Sequence, residues 1–284
     1  MKKVLILLIA LMLPVAAFAS PAEGMQVLLL GTDDIEYDVS KTSEMSRADA
    51  IYVAGISREN GVKLLGIERD LRVSLPDQPD NKLATTTFFG GPELCLKTIN
   101  ELYGLDINLY AQVDKPTLLS VVDVMGGVNV SIPEEQVKGI NRQMRDYGYR
   151  LPKPQKDGTY KLNGKQSVVF LSIRDTEMKD SIESNAQRNE RQQMFLQSSL
   201  AMLKTMTFDE ALSIAEEVVP MINTNLTMAQ IVNMIRTLQT GNADFKYKRS
   251  PITSYELTRA GVHQVVEISN IEQERQEVNA FLFK

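Results

Sequence analysis

Two β-prone runs, Ala50 to Ser57 (AIYVAGIS) and Val62 to Glu68 (VKLLGIE), are joined through Asn60-Gly61, the strongest short hairpin signal a sequence offers. They are predicted to pair antiparallel. With the turn on Asn60 and Gly61, the first strand opens at the edge where the second closes, and Ile51 falls roughly opposite Asp70. Arg47 and Asp49 therefore reach the same end of a sheet as Arg69 and Asp70. A third strand, Met25 to Leu30, ends at Gly31-Thr32-Asp33, and residues 34–46 loop back to Arg47, so Asp33 joins the cluster. Guanidinium forks match phosphate oxygens bidentately, and open carboxylates hold a hard cation such as Mg²⁺ beside substrate phosphates. The cluster suits a metal-diphosphate. It equally suits surface ion pairs that neutralise one another, each worth ~0 to 1 kcal/mol, and the hairpin alone leaves both readings open.

The N-terminus sets the compartment. Lys2 and Lys3 precede the apolar run Val4 to Ala19, which closes on Ala17-Phe18-Ala19, the pattern of a secretory signal with its cleavage site. Its 16 uncharged residues fall short of the ~20 a membrane-spanning helix usually needs, so residues 1–19 read as a cleaved leader and 25–284 as one domain. Roughly 265 residues remain, enough for one large α/β domain. The full chain carries a formal charge of −5, and losing two lysines with the leader makes the rest more acidic, which argues against nucleic-acid binding. One cysteine and one histidine, Cys95 and His263, are too few for the usual His/Cys zinc site, and their distance in sequence argues against a Cys/His triad. Cys95 shares a stripe with Ile99 and Leu102 and reads as a buried small hydrophobe.

After the hairpin, Gly90-Gly91-Pro92 opens a helical pattern that runs to Gly104. The next unit repeats that logic: strand Leu109 to Val113, Asp114 as cap, a helix from Pro116 stopped by Gly126-Gly127, then strand Val128 to Ile132. Alternating strands and helices imply a layered α/β domain, and the hairpin makes its sheet mixed. The polar segment Glu134 to Tyr160 reads as a long excursion or lid, Asn163 to Ile173 as either helix or strand, and Asp175 to Gln187 as a loop. Helical patterns follow over Arg188 to Met206, Phe208 to Val219, Thr227 to Leu238 and Glu272 to Phe283, with a strand near Val262 to Ile268. The helix from Pro116 to Met125, the helix from Phe208 to Val219 and the methionine-rich Met194 to Met206 offer flexible apolar surface, fit for core packing or for a lipid pocket.

Arg188, Arg191 and Gln192 stand at i, i+3 and i+4, on one face of a helix expected to begin near Arg188. Cations in a first turn oppose the helix dipole, and an anionic ligand would supply their reason. Pairing with Glu183 or Glu190 is the alternative.

Taken in order, the segments resemble the LytR-CpsA-Psr family, the cell-envelope-related transcriptional attenuator domain. The resemblance is carried by Leu30-Gly31-Thr32-Asp33 (LxGxD), Arg47-Ala48-Asp49 (RSD), Ile67-Glu68-Arg69-Asp70 (IPRD) and Lys82-Leu83 followed by Gly90-Gly91-Pro92-Glu93-Leu94 (KIN, GGPEL). It continues through Val122-Asp123-Val124-Met125-Gly126-Gly127-Val128 (VDxxGGV), Leu162-Asn163-Gly164-Lys165-Gln166 (LNGxQ) and Arg188-Asn189-Glu190-Arg191-Gln192-Gln193 (RxxRQQ). The resemblance implies an α/β/α sandwich whose apolar cavity holds a lipid. It also implies an exported phosphotransferase at the outer face of the plasma membrane. Such an enzyme moves an anionic glycopolymer, such as a teichoic acid, from a polyprenyl diphosphate carrier onto peptidoglycan.

By the same resemblance Asp33 and Asp49 would hold Mg²⁺. Arg47, Arg69, Arg174, Arg188 and Gln192 would bind the diphosphate, with Lys82 and Arg191 beside them. Arg69, Asp70 and Arg174 form the expected catalytic group, with Asp70 or Asp49 accepting a proton. The chain departs from the family pattern at Ser172, where an arginine is usual, at Asn185, where an aspartate is frequent, and at Ile35, where an arginine is frequent. Asp180 could substitute for the missing aspartate. These departures leave open a polyprenyl-phosphate binding or regulatory protein with a weakened active site, or a diphosphate hydrolase.

Overall fold

The computed structural model describes residues 24–33, 47–75, 78–174, 182–242 and 244–283, without the side chains of 182–185. The leader expected at 1–19, the loop 34–46 with Ile35, and Asp180 lie outside the described residues.

β1 (Met25–Asp33), β2 (Arg47–Ser57) and β3 (Gly61–Ile67) are apolar on both of their faces, so the sheet they form has to be covered twice. β2 pairs antiparallel with both neighbours. β6 (Tyr110–Asp114) adds parallel to β1, β10 (Phe245–Ser250) adds parallel to β3, and the short β9 (Asn223–Thr224) closes the far edge. The order is β10-β3-β2-β1-β6-β9, a mixed six-stranded sheet as expected. On one face Leu28, Leu30, Ile51, Val53, Leu65 and Ile67 pack against Cys95, Ile99 and Tyr103 of α1 (Thr86–Tyr103) and Val278 and Leu282 of α8 (Ile271–Phe283). On the other, Tyr52, Ala54, Ile56, Val62 and Leu64 meet Leu196, Leu200 and Leu203 of α5 (Ile182–Thr205) and Met234 and Leu238 of α7 (Met228–Thr240). The result is the α/β/α sandwich. Cys95 is buried, and burial pushes its thiol up to about 12, which removes it as a nucleophile.

The hairpin forms, but not in the expected register. Residues 58–60 make the turn, Gly61 opens β3 at φ 68°, and Ser57 pairs with Gly61 and Tyr52 with Gly66. Ile51 therefore does not face Asp70. The Asn60 amide donates to Ser57 Oγ at 3.0 Å, and this contact favours a three-residue loop over a two-residue one.

The segment Glu134 to Tyr160 also differs from its reading as a lid. It holds α3 (Glu134–Asp146), whose Ile140 and Met144 are buried at helical spacing in a second core with Val122, Val128, Val130, Leu162 and Phe170. The polar outer face of the helix masked this stripe. α4 (Gly164–Ser172) resolves the ambiguous segment as helix, started by a capping box between Asn163 and Gln166. Its close approach to α2 (Lys115–Val124) requires Gly164, because a Cβ there would lie 2.3 Å from the Leu119 carbonyl oxygen. Asp123 Oδ1 accepts the Gly164 amide at 2.7 Å and fixes that crossing. The remaining elements are α6 (Phe208–Val218), β4 (Arg72–Leu75) with β5 (Gln78–Lys82), β7 (Val128–Val130) with β8 (Tyr160–Leu162), and β11 (Tyr255–Ala260) with β12 (His263–Ile268).

Glu274 on α8 is fully buried and ties three elements together. Its Oε1 accepts from Ser250 Oγ at 2.6 Å, and its Oε2 from the Thr253 amide at 2.8 Å and hydroxyl at 2.7 Å. Ser250 Oγ in turn shares a hydrogen bond with Tyr103 Oη at 2.7 Å. Burial pushes this carboxyl up, yet the hydrogen bonds outweigh it and hold the group below the usual carboxylate range. A lowered folded-state pKa contributes stability above the unfolded value of ~4.3, and that contribution fades as pH falls through the folded value. Glu274→Gln should therefore cost about 1–3 kcal/mol at neutral pH, and the gap to wild type should close in acid. Urea midpoints across pH measure this, and coincident curves at neutral pH would refute it.

Candidate functional site

The site begins with a β-bulge. Gly31 faces Ala50 but Thr32 faces Ala48, so Asp49 is the extra residue of β2. The bulge turns Ala48 into the same core face as Ile51 and releases Asp49 from the ladder at the strand end. Continuing the β2–β3 register brings Arg69 opposite Asp49, and the two form an ion pair. The other Asp49 oxygen meets Arg188 Nη1 at 3.4 Å, and Arg188 Nη2 donates to the Asp49 carbonyl at 3.2 Å.

α5 is already helical at Ile182, so Arg188 stands in its second turn and the first-turn argument does not apply. The helix face it shares with Arg191 and Gln192 does hold: all three are buried against the sheet end. Arg188 is 3% exposed and its Nε–H has no hydrogen-bond partner among the described residues. Burial, then the neighbouring Arg174 and Arg69, push its guanidinium down to about 9, which still leaves it cationic at neutral pH. Burial likewise lowers Arg69, against the pull of Asp70. Gln192 Oε1 accepts from Tyr52 Oη at 2.8 Å. Arg191 donates Nε to the Phe170 carbonyl at 3.1 Å and Nη2 to that of Ile173, so its guanidinium holds the end of α4 from which Arg174 projects. Burial and Arg188 push Arg191 down to about 10.

A cleft of 370 Å³ opens beside this cluster, walled by Glu68, Arg69, Asp70, Lys82, Arg174 and Arg249, with Tyr255, Leu257 and Gln264 of the β11–β12 ribbon on its rim. Lys82 Nζ lies 3.0 Å and Arg69 Nε 3.6 Å from Asp70 Oδ1. A smaller depression of 110 Å³ shares Arg69 and Lys82 and adds Arg47, Phe88 and Phe89. The structure thus gathers Arg47, Asp49, Arg69, Asp70, Lys82, Arg174 and Arg188 around one strand end. Asp33 sits across from Arg47 in the β1–β2 register, where Lys115 Nζ approaches its Oδ1 at 2.6 Å. Lys115, Glu68 and Arg249 were not singled out from sequence. β10, which carries Arg249, is a polar FKYKRS run with little apolar signal, and only its parallel pairing with β3 makes it a strand.

Among the described residues no three His, Cys, Asp or Glu side chains converge, so protein groups alone would not cage a metal. Asp33 and Asp49 stand at the same end of the β1–β2 pair, the first approached by Lys115 and the second by Arg69 and Arg188. On the other side of β1, α2 packs against α4 and α6. Leu118, Leu119 and Val121 of α2, Met194 and Met202 of α5 and Leu212 and Ile214 of α6 are only half-buried. These helices thus retain accessible apolar surface.

A teichoic acid transferase, TagU of Oceanobacillus iheyensis, named as acting between polyisoprenyl-teichoic acid and peptidoglycan, is 25% identical over 246 residues, 84% of this chain and 68% of its own length. TagT of Bacillus subtilis, named for the same transfer, is 24% identical over 207 residues, 72% of this chain and 60% of its own. The chain therefore spans about two thirds of these relatives. A solved structure of TagT bound to LIIa-WTA superposes with a TM-score of 0.71 at 19% identity, covering 95% of this chain and 93% of that one. One of TagT with bound octaprenyl pyrophosphate lipid gives 0.66 at 18% identity, covering 95% and 94%. The sequence matches the LytR_cpsA_psr family across residues 13–279, and the chain belongs to that family.

Proposed function

We propose that this protein is an Mg²⁺-dependent phosphotransferase of the bacterial cell envelope. It would move an anionic glycopolymer, such as a teichoic acid, from a polyprenyl diphosphate carrier to peptidoglycan at the outer face of the plasma membrane. The observation that carries this reading is a crowded buried cation: Arg188 is closed off from water with an unsatisfied Nε–H, shares the Asp49 carboxylate with Arg69, and is repelled by both Arg69 and Arg174. Burying like charges together costs stability, and an anion with several oxygens repays that cost. A diphosphate supplies both charge and acceptors. The relatives' transferase names and the lipid-bound neighbour support the substrate class, and the half-buried side chains of α2, α5 and α6 offer the prenyl tail an apolar lining.

In this mechanism an acceptor sugar hydroxyl attacks the phosphorus nearer the glycan, and the bond to the lipid phosphate breaks as the new P–O bond forms. Asp70, which lines the cleft where Asp49 does not, takes the hydroxyl proton. Arg69, Arg174 and Arg188 hold the diphosphate oxygens in line and oppose the charge that develops on them. Arg191 positions Arg174 through the end of α4. Asp33 and Asp49 would hold Mg²⁺ together with the diphosphate, and the ion when bound adds further charge neutralisation.

Purified protein with Mg²⁺ and a short polyprenyl diphosphate-sugar tests the reading. Product that appears only with a glycan acceptor is expected. Release of free sugar phosphate without acceptor would make it a hydrolase. Binding without turnover would favour the polyprenyl-phosphate binding protein that Ser172 allows. Arg188→Met keeps the buried stem but removes the fork, so diphosphate affinity should fall ten- to hundred-fold while the free protein melts no lower. Calorimetry and a melting curve read both effects, and unchanged affinity would dismiss the guanidinium clamp. Wild-type protein should bind diphosphate more weakly in EDTA than in Mg²⁺, and Asp49→Asn should abolish that difference. Equal wild-type affinity in both buffers would eliminate the metal.

A further inference from the structure

Arg249 is a cation of the cleft that no motif points to. Along β10 the side chains of Phe245 and Tyr247 pack into the layer between the sheet and α5, and the two-residue period of a strand puts Arg249 on that same face. β10 runs parallel to β3, so Arg249 arrives beside Gly66, at the end where Glu68, Arg69 and Asp70 leave the sheet. There it lines the 370 Å³ cleft together with Arg69, Arg174 and Lys82.

Two neighbours hold its guanidinium from behind. Glu68 Oε2 pairs with Nη2, while Glu68 Oε1 accepts the Asp70 amide at 3.3 Å. The Asn189 carbonyl oxygen, in its hydrogen-bonding orientation, accepts from Nε at 3.3 Å and Nη2 at 3.1 Å. Nη1 makes no hydrogen bond among the described residues, and Arg249 lines the cleft. The Glu68 side chain is 9% exposed and that of Arg249 is 29%, so the carboxylate is the inner member and the guanidinium the accessible one. Glu68 also occupies the motif position where the family pattern has proline, and Ser172 the position where it has arginine. The chain thus lacks one guanidinium at the end of α4 and brings another from β10.

We propose that Arg249 is an additional diphosphate-binding residue, oriented by Glu68 and Asn189 and presenting Nη1 to a phosphate oxygen. The inference rests on the diphosphate reading and deepens it by adding a ligand residue outside the family's motifs. If Arg249 only neutralised Glu68, its loss would alter stability and leave the ligand alone.

The probe is inorganic pyrophosphate with Mg²⁺, followed by calorimetry and checked with geranyl diphosphate. Arg249→Ala should weaken binding about ten-fold or more, and Arg249→Lys should not restore it, because a point charge cannot hold Glu68 and a phosphate at once. Glu68→Gln removes a competing negative charge and should tighten binding several-fold. In the double variant Arg249→Ala/Glu68→Gln, which leaves no unpaired buried carboxylate and so guards against misfolding, binding should fall about ten-fold below Glu68→Gln alone. Wild-type binding with the double variant within two-fold of Glu68→Gln overturns the proposal and leaves the diphosphate reading intact. A wild-type protein that binds neither probe overturns that reading, and this proposal with it.

Discussion

The pairing of one carboxylate with two guanidinium groups organises the functional end of this molecule. Asp49 meets Arg69, just past the end of β3, and Arg188 from α5, so one side chain ties the hairpin to the helix across the sheet end. It can do so because the bulge between Gly31 and Thr32 frees it from the ladder; an unbulged strand would have pointed it the other way. Asp70 and Glu68 pair with further cations beside it, Lys82 and Arg249. Arg188 and Arg69 are both pushed down by burial and by Arg174.

The family motifs divide by physical task. Arg69, Asp70 and Arg174 line the cleft, and Arg188 is buried behind Asp49, which pairs with Arg69. Asp123, Asn163, Gly164, Gln166 and Arg191 build the frame: they cap α4, let it cross α2 closely and fix its final turn just before Arg174. Loss of a framing residue would reach the chemistry only by moving Arg174. The Tyr103–Ser250–Glu274 chain does similar work on the other side, where it anchors the end of β10 next to Arg249.

Much of the layering was legible because it rests on local signals. Proline and glycine punctuation marked α2, the apolar stripe of α1 named Cys95 and Ile99 as core, and both lie where expected. Three readings failed for identifiable reasons. The hairpin turns over residues 58–60 rather than on Asn60-Gly61, which shifts the pairing by three residues, and Ser57 Oγ takes the Asn60 amide in that turn. α3 was read as a lid because its apolar stripe is narrow and bounded by polar residues, and only the facing Phe170 and Val130 show it to be core. α5 begins ahead of Arg188, so the cationic face that the spacing revealed draws its cost from burial rather than from the helix dipole.

From the sequence alone came the hairpin, the alternation that makes an α/β sandwich, and the arginines and aspartates that a phosphate site requires, since turn chemistry, periodicity and side-chain type are local properties of the chain. The tertiary structure decided which of those charges meet. The bulge that aims Asp49, the turn of Arg191 toward the end of α4, and the arrival of Arg249 beside Glu68 all depend on segments far apart in the chain. Strand pairing and helix docking set these contacts, and the spacing of residues along a sequence does not encode the distance between elements that touch only in the folded state.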